Sequence, residues 1–199
     1  MNMLISNNRM VALALFITVA TQILYVATLS EVGIVEGWPL RSTIWTIETV
    51  AFTVMAVAAL GAMVEDAARR IIWAALVVSA LFNAIQAGMG LSMFLPATEA
   101  GPEFGPLMQT VLVGAFLFFF VAKALIGMAG IGLGLSLWSK GGAAKAVGLL
   151  AVITGIAGAA VNILALPQGM ALVFPAGAAG TIATLFVAIA AWMVQPSSE

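Results

Sequence analysis

Two charged side chains, Glu48 and Lys123, lie within stretches apolar enough to cross a membrane. A charge at the bilayer centre is unfavourable by about 2.5–3.5 kcal/mol on insertion scales, so such residues face protein, water or a partner. A carboxyl group can take up a proton or a cation, and an ammonium group can neutralise that carboxyl or hold an anionic group. The sequence therefore predicts a polar ligand-binding or transport site around Glu48 and Lys123.

A structural interpretation competes with this one. Glu48 and Lys123 would then form a buried ion pair that fixes helix register, and the neutral polar residues would form interhelical hydrogen bonds worth about 0.6 kcal/mol each. We favour the functional interpretation for the two charges, because an ionisable residue within a membrane is by default a functional hypothesis. For the neutral stripes taken alone we favour the structural one.

Neutral polar side chains recur at helical spacing in the other apolar stretches. Those that add hydrogen-bonding capacity to the predicted site are Gln22, Tyr25, Asn83, Gln86 and Asn162. Threonines extend the same stripes, namely Thr18, Thr21, Thr46, Thr49, Thr53, Thr181 and Thr184. Because each set falls on one helical face, we expect a polar seam inside a helical bundle.

The stretch that carries Lys123 has a face of small residues. Lys123, Gly127, Gly130 and Gly134 follow the i, i+4, i+7, i+11 spacing of one helical face, and glycines let a second backbone approach closely. Three aromatic rings precede the lysine on roughly the same side, namely Phe116, Phe119 and Phe120. We expect the lysine to point into the bundle beneath these rings.

The composition places the chain in lipid. Of 199 residues, 63% are hydrophobic and 8% charged, whereas soluble domains carry about 25% charged residues. Cysteine and histidine are absent, so disulfides, thiolate metal sites, cysteine nucleophiles and histidine ligands or bases are excluded. We predict no catalytic residue, no metal site and no cofactor. The net charge of -1, without a basic run, does not favour nucleic acid binding.

Six apolar stretches approach or exceed the roughly 20 residues that a membrane-spanning helix needs. They cover about residues 11–29, 42–64, 71–95, 111–138, 146–166 and 170–194. Unpaired backbone is excluded from hydrocarbon, so these spans must be helices. The prediction is an all-α membrane protein, a single six-helix domain over residues 1–199. Pro96 is expected to stop the third span, and Pro175 to lie in the first turn of the sixth.

The distribution of basic residues predicts the orientation. Five of them fall on one side of a six-span topology, namely Arg9, Arg69, Arg70, Lys140 and Lys145, whereas the other side has only Arg41. Cytoplasmic loops carry the excess of basic residues, so both termini are expected in the cytoplasm. The tryptophans would form belts at the two boundaries, with Trp38 and Trp45 outside.

Several functions fit this layout. The leading hypothesis is a small binding or transport protein that holds a small or amphipathic ligand within the bundle, with the bilayer as its environment. The alternative is an accessory or assembly subunit, docking on a membrane-protein partner or a second copy through glycine-rich faces. A lipid-modifying enzyme is the least favoured, because the chain lacks the usual catalytic groups.

Four features resemble an uncharacterised family of six-helix bacterial membrane proteins, a domain of unknown function. They are Arg9 before the first span, Glu48 within TIETV, the basic turn after the second span, and Pro175 within LVFPAG. The resemblance covers nearly the whole chain. It implies the six-helix fold and the bacterial inner membrane, and it implies no activity.

Overall fold

The computed structural model describes residues 5–194 and is 91% helical. Its α-helices, in chain order, are α1 (Asn7–Leu29), α2 (Trp38–Glu65), α3 (Arg70–Met89), α4 (Leu95–Glu99), α5 (Gly105–Trp138), α6 (Gly142–Gln168) and α7 (Val173–Met193). The prediction of an all-α protein is confirmed.

Five helical segments are long and apolar enough to cross a membrane. They are Asn7–Leu29, Trp38–Glu65, Ala67–Glu99, Pro102–Trp138 and Gly142–Met193, with mean hydropathies from 1.8 to 2.3. The last of them contains both α6 and α7, which a 3-10 turn at Gly169–Leu172 separates. Gly169 has a positive φ of 58° at this turn, a conformation that glycine adopts without steric cost.

Most helices begin earlier than the hydropathy pattern predicts. α2 begins at Trp38 and α5 at Gly105, each with a proline in its first turn, where proline's missing N–H leaves no bond unmade. Pro96 was expected to stop the third span, but the chain continues through a π-helical turn, Gly90–Phe94, into α4. Pro96 lies in the first turn of α4, so it does not interrupt the helix.

Five helices pack in a closed cyclic order, and a sixth packs outside them. α1 contacts α2, α2 contacts α3, α3 contacts α5, α5 contacts α7, and α7 contacts α1. α6 packs against α5 and α7. The start of α1 lies beside the ends of α2 and α7, because Asn7 bonds Glu65 and Asn8 bonds Val194. We call this end of the bundle, which also holds Arg9 and Arg69, the basic end, and the opposite end the acidic end.

The apolar core lies toward the basic end of the ring of helices. Its largest members are Phe52 and Met55 of α2, Trp73 and Leu76 of α3, and Leu133 of α5. Large apolar side chains also cover the outside of the bundle, as at Val57, Ile71, Leu149, Ile156 and Phe174. Apolar residues on both the inside and the outside are typical of a bundle surrounded by lipid.

The glycine face of α5 packs against α6. A Cβ atom at Gly127 would lie 2.6 Å from the backbone nitrogen of Ala159 and from the carbonyl oxygen of Gly155. One at Gly134 would lie 2.5 Å from the carbonyl oxygen of Gly148. The glycines predicted to form a packing face therefore have their partner helix within the chain.

Candidate functional site

Lys123 is completely buried at the meeting point of α1, α5 and α7. Its Nζ donates to Gln22 Oε1 at 2.9 Å and to Thr184 Oγ1 at 3.2 Å. Thr184 in turn donates to the carbonyl oxygen of Gly180, so its hydroxyl oxygen is free to accept from the lysine. A Cβ at Gly180 would lie 3.0 Å from Lys123 Cγ and Cδ, so this glycine provides the space for the lysine stem.

Two further contacts complete the surroundings of the lysine. Thr181 donates to the same Gln22 Oε1 at 2.9 Å, so one amide oxygen links α1, α5 and α7. The Nζ also lies 5.5 Å from the centroid of the Phe119 ring, within the range of a cation–π interaction. The predicted position of Lys123 under an aromatic ring is thus present in the structure.

Glu48 is 6% exposed and contacts α1 one residue away from Gln22. Its Oε1 lies 2.7 Å from Thr21 Oγ1, and this hydroxyl is also 3.0 Å from the carbonyl oxygen of Thr18. A hydroxyl has one proton to donate, and when Glu48 is ionised it donates to the carboxylate. When Glu48 is protonated, the carboxyl donates to Thr21, which then donates to Thr18. The same geometry therefore accommodates both protonation states.

Glu48 and Lys123 do not form the ion pair that we considered from the sequence. The only salt bridge within 4.0 Å among residues 5–194 joins Arg69 to Asp66. The predicted difference in depth was about 9 Å. From the observed ends at Glu65 and Trp138, a rise of about 1.5 Å per residue puts the two charges at depths that differ by only about 3 Å. The separation between the two groups is therefore mainly across the bundle and not along it. Glu48 contacts Thr21 of α1, whereas Lys123 contacts Gln22.

Arg41 is a third buried charge, and sequence reasoning used it only to orient the chain. It is 5% exposed and donates to the Tyr25 hydroxyl and to the carbonyl oxygens of Leu29 and Val32. Its guanidinium also lies over the Tyr25 ring, 5.2 Å from the centroid. Within the described chain its Nε has no partner. Arg41 lies three residues after the boundary residue Trp38, on the same side of α2. This spacing is the signal that could have predicted that Arg41 faces the bundle.

Tyr25 therefore joins the site through Arg41. It stacks on Trp45 at a centroid distance of 6.0 Å, and Trp45 packs edge-on against Phe94 at 5.4 Å. Gly90, at the start of the π-helical turn, lets the Trp45 ring approach, since a Cβ there would lie 3.0 Å from it. These aromatic rings close the acidic end of the ring of helices above Glu48.

The remaining predicted site residues lie elsewhere. Asn83 donates to Ser79 within α3, and Ser79 donates to the carbonyl oxygen of Ala122, which joins α3 to α5. Asn162 donates to the carbonyl oxygens of Gly158 and Ala176, and the second bond joins α6 to α7.

Gln86 makes no side-chain hydrogen bond within residues 5–194 and is half-buried. None of the three remaining residues has a hydrogen bond to Glu48 or Lys123.

The threonine stripe of α2 does not extend the seam either. Thr46 and Thr53 are exposed, and each donates to the carbonyl oxygen four residues earlier. A threonine hydroxyl satisfied within its own helix can face lipid at little cost. Thr46 and Thr53 therefore do not belong to the interior polar residues.

The site as a whole has two positive groups, one carboxyl group and a strip of neutral partners. Tyr25, Thr21 and Gln22 of α1 hold Arg41, Glu48 and Lys123 respectively. Such a site can hold or release a proton at Glu48 and can attract an anionic group to Lys123. No cluster of three or more acidic residues that could hold a metal ion is present between residues 5 and 194.

Comparisons with protein-family models, with curated proteins and with solved structures found no match to this chain.

Proposed function

We propose that this chain is a small binding or transport protein of the bacterial inner membrane, with six spans and both termini in the cytoplasm. In this proposal α6 and α7 are separate spans, of about 40 and 31 Å at 1.5 Å per residue, each long enough for a hydrocarbon core of about 30 Å. The bacterial membrane follows from the resemblance of Arg9, Glu48 and Pro175 to the six-helix family. The orientation follows from the excess of basic residues at the basic end.

The observation that carries this proposal is the way Lys123 is held. A lysine with no exposed surface is bonded to an amide oxygen and a hydroxyl oxygen, with no carboxylate of the described chain within 4.0 Å. An ion pair that served only to fix helix register would bring its carboxylate into contact, because a buried unpaired charge is strongly unfavourable. An ionisable residue within a membrane span is by default a functional hypothesis, and no carboxylate of the described chain pairs with this one.

Glu48 is assigned the role of proton acceptor. Thr21 accommodates the carboxyl in either protonation state, so proton uptake at Glu48 needs no rearrangement of α1. Because Gln22 follows Thr21 on the same helix, a change at Glu48 is adjacent to the residue that holds Lys123. This arrangement supports coupling between proton binding at Glu48 and ligand binding at Lys123.

The alternative of an accessory subunit has less support. It was motivated by glycine-rich faces suited to docking on another protein. The glycines of α5 at positions 127 and 134 pack against α6 of the same chain, so they are not available to a partner.

The proposal predicts charge movement on proton binding at Glu48. Protein in proteoliposomes is adsorbed on a solid-supported membrane and exposed to a jump from pH 8 to pH 6 without substrate. We expect a transient current from wild-type protein and its loss in Glu48→Gln. The current should fall to the level of protein-free liposomes, because Glu48 is the only acidic residue to which the proposal assigns proton uptake.

Glu31→Gln is the matched control, because it removes an exposed carboxyl at the acidic end and should keep the current. Equal currents from wild-type protein and Glu48→Gln, with both variants monodisperse on gel filtration, would contradict the proposal.

A further inference from the structure

A partly exposed polar contact joins α1 to α7 beside Lys123. Gln22 and Thr181 are both only partly buried, and their hydrogen bond joins the two helices there. Gln22 uses its oxygen twice, for Lys123 and for Thr181, whereas its amide nitrogen has no partner within residues 5–194. Exposed threonines such as Thr46 and Thr53 donate their hydroxyl protons to carbonyl oxygens of their own helix. The amide nitrogen of Gln22 has no such acceptor in the described part of the chain.

An unpaired amide N–H in hydrocarbon is unfavourable by several kcal/mol. Behind it, the Lys123 ammonium has three donors and two described acceptors, Gln22 and Thr184. Spare donors and a positive charge without a carboxylate of the described chain within 4.0 Å therefore lie at and directly behind this contact. Charge complementarity calls for a ligand whose polar group is an anion that accepts hydrogen bonds.

The rim of this contact is apolar. Val26, one turn beyond Gln22 on α1, is partly covered but still 58% exposed, and Ile182, beside Thr181 on α7, is 50% exposed. Gln22 lies about 10 Å from the end of α1 at Leu29, at 1.5 Å per residue. A water-soluble anion has no route through such a rim, whereas a membrane lipid is already in contact with it.

We propose that the site takes an amphiphile with an anionic carboxylate headgroup and an alkyl chain, such as a free fatty acid, which enters from the bilayer between α1 and α7. Its carboxylate accepts from the Gln22 amide N–H and the third N–H of Lys123, and its chain stays between Val26 and Ile182. Entry breaks the hydrogen bond between Thr181 and Gln22. This inference names the substrate class of the proposed function and rests on it.

Photo-crosslinking tests the inference directly. Protein in phosphatidylcholine nanodiscs is irradiated with palmitic acid that carries a mid-chain diazirine, and the labelled peptides are identified by mass spectrometry. The methyl ester of the same probe is the matched control, because it keeps the chain and loses the charge. We expect the acid to label α1 after Gln22 and α7 around Ile182 about tenfold more than the ester does, the ratio that about 1.4 kcal/mol provides.

Variants of the protein assign the effect to the site. Lys123→Met and Gln22→Leu should each bring labelling by the acid down to the level of the ester. Arg9→Gln removes an exposed cation, stacked on Trp192 at the basic end, and should change nothing. Equal labelling by acid and ester in wild-type protein would overturn the inference, and so would full labelling of Gln22→Leu. If Lys123→Met does not fold, Gln22→Leu keeps the test decisive.

Glu48→Gln separates this inference from the proposed function. It should lose the pH-jump current, whereas the preference of the label for the acid over the ester should persist, because the groups that recognise the carboxylate are Gln22 and Lys123. Loss of the current in this variant, with no preference for the acid over the ester in wild-type protein, would support the proton site and overturn the lipid substrate. Retained labelling without any current in wild-type protein would leave a lipid-binding site and overturn the proton coupling.

Discussion

Three of the buried charged residues are each held by a neutral residue of α1. Tyr25, Thr21 and Gln22 carry no formal charge, yet they contact Arg41, Glu48 and Lys123. Neutral partners stabilise a charge less than an opposite charge would, so the groups stay available to a proton or a ligand. This arrangement places the chemistry of the molecule on one face of its first helix.

Thr21 should contribute more to stability than its neighbour Thr18. Thr21→Val leaves Glu48 without its only described partner, whereas Thr18 donates only to Leu15 within its own helix. We expect Thr21→Val to lower the free energy of unfolding by about 1–2 kcal/mol and Thr18→Val to change it by less than about 0.5 kcal/mol. Unfolding in sodium dodecyl sulfate, followed by circular dichroism, measures both. Equal effects would contradict the assigned role of Thr21.

The sequence predicted part of this site because burial of charge is visible in a hydropathy pattern. Lys123 and Glu48 stand out in apolar stretches, and Gln22 follows the helical spacing of α1. Asn83 and Asn162 followed the same spacing but bond Ser79 and Gly158 of their own helices. Periodicity places a residue on a face of a helix, but the neighbour of that face depends on tertiary packing.

At the scale of helices, the backbones of α5 and α6 approach each other closely at their glycines. Backbone atoms of the two helices leave no room for a side chain at Gly127, Gly134 or Gly155. In lipid no hydrophobic force joins helices, so such contacts depend on close van der Waals packing. α6 is thereby fixed to α5 on the outside of the ring, while α1 lies on the opposite side of Lys123.

Gly127→Ala should separate α5 from α6. Its Cβ would meet backbone atoms of Ala159 and Gly155 at 2.6 Å, which cannot move independently of α6. We expect a loss of about 1–3 kcal/mol in the free energy of unfolding, as for other overpacked sites. The matched control is Gly88→Ala in α3, where no atom lies within 4 Å of the new Cβ. That variant should be neutral or up to about 1 kcal/mol more stable, through helix propensity.

The same unfolding assay in sodium dodecyl sulfate compares the two variants. A Gly127→Ala protein as stable as Gly88→Ala would show that the α5–α6 contact is looser than the structure has it.

The boundaries of the helices were harder to predict than their existence. Apolar length predicted each long helix, but α2 begins at Trp38, four residues before the predicted start at Ser42. The π-helical turn at Gly90–Phe94 has no signal in hydropathy. The turn places Gly90 against the ring of Trp45, a contact between residues far apart in the sequence.

At the scale of the whole molecule, charge and aromatic residues agree on two distinct ends. At the basic end, Arg9 lies over Trp192 and Lys145 over Trp138, with centroid distances of 5.3 and 5.5 Å. At the acidic end, Trp38 and Trp45 pack edge-on at 6.1 Å. Tryptophans at both boundaries are typical of a membrane-spanning bundle.

Reporter fusions should place the basic end in the cytoplasm. The segment Gly142–Met193 contains two helices, and crossing twice returns the C-terminus to the side of Arg9, whereas a single crossing would put it opposite. The excess of basic residues keeps the basic end in the cytoplasm. We therefore expect green fluorescent protein fused after Glu199 to fluoresce. Alkaline phosphatase fused after Gln168, at the acidic end, should be active. Alkaline phosphatase fused after Gly141 is the control and should be inactive. Alkaline phosphatase activity after both Glu199 and Gly141 would reverse the topology, and the contact between Gln22 and Thr181, nearer the acidic end, would then face the cytoplasmic leaflet. Activity after Glu199 alone would mean that α6 and α7 do not cross the membrane separately.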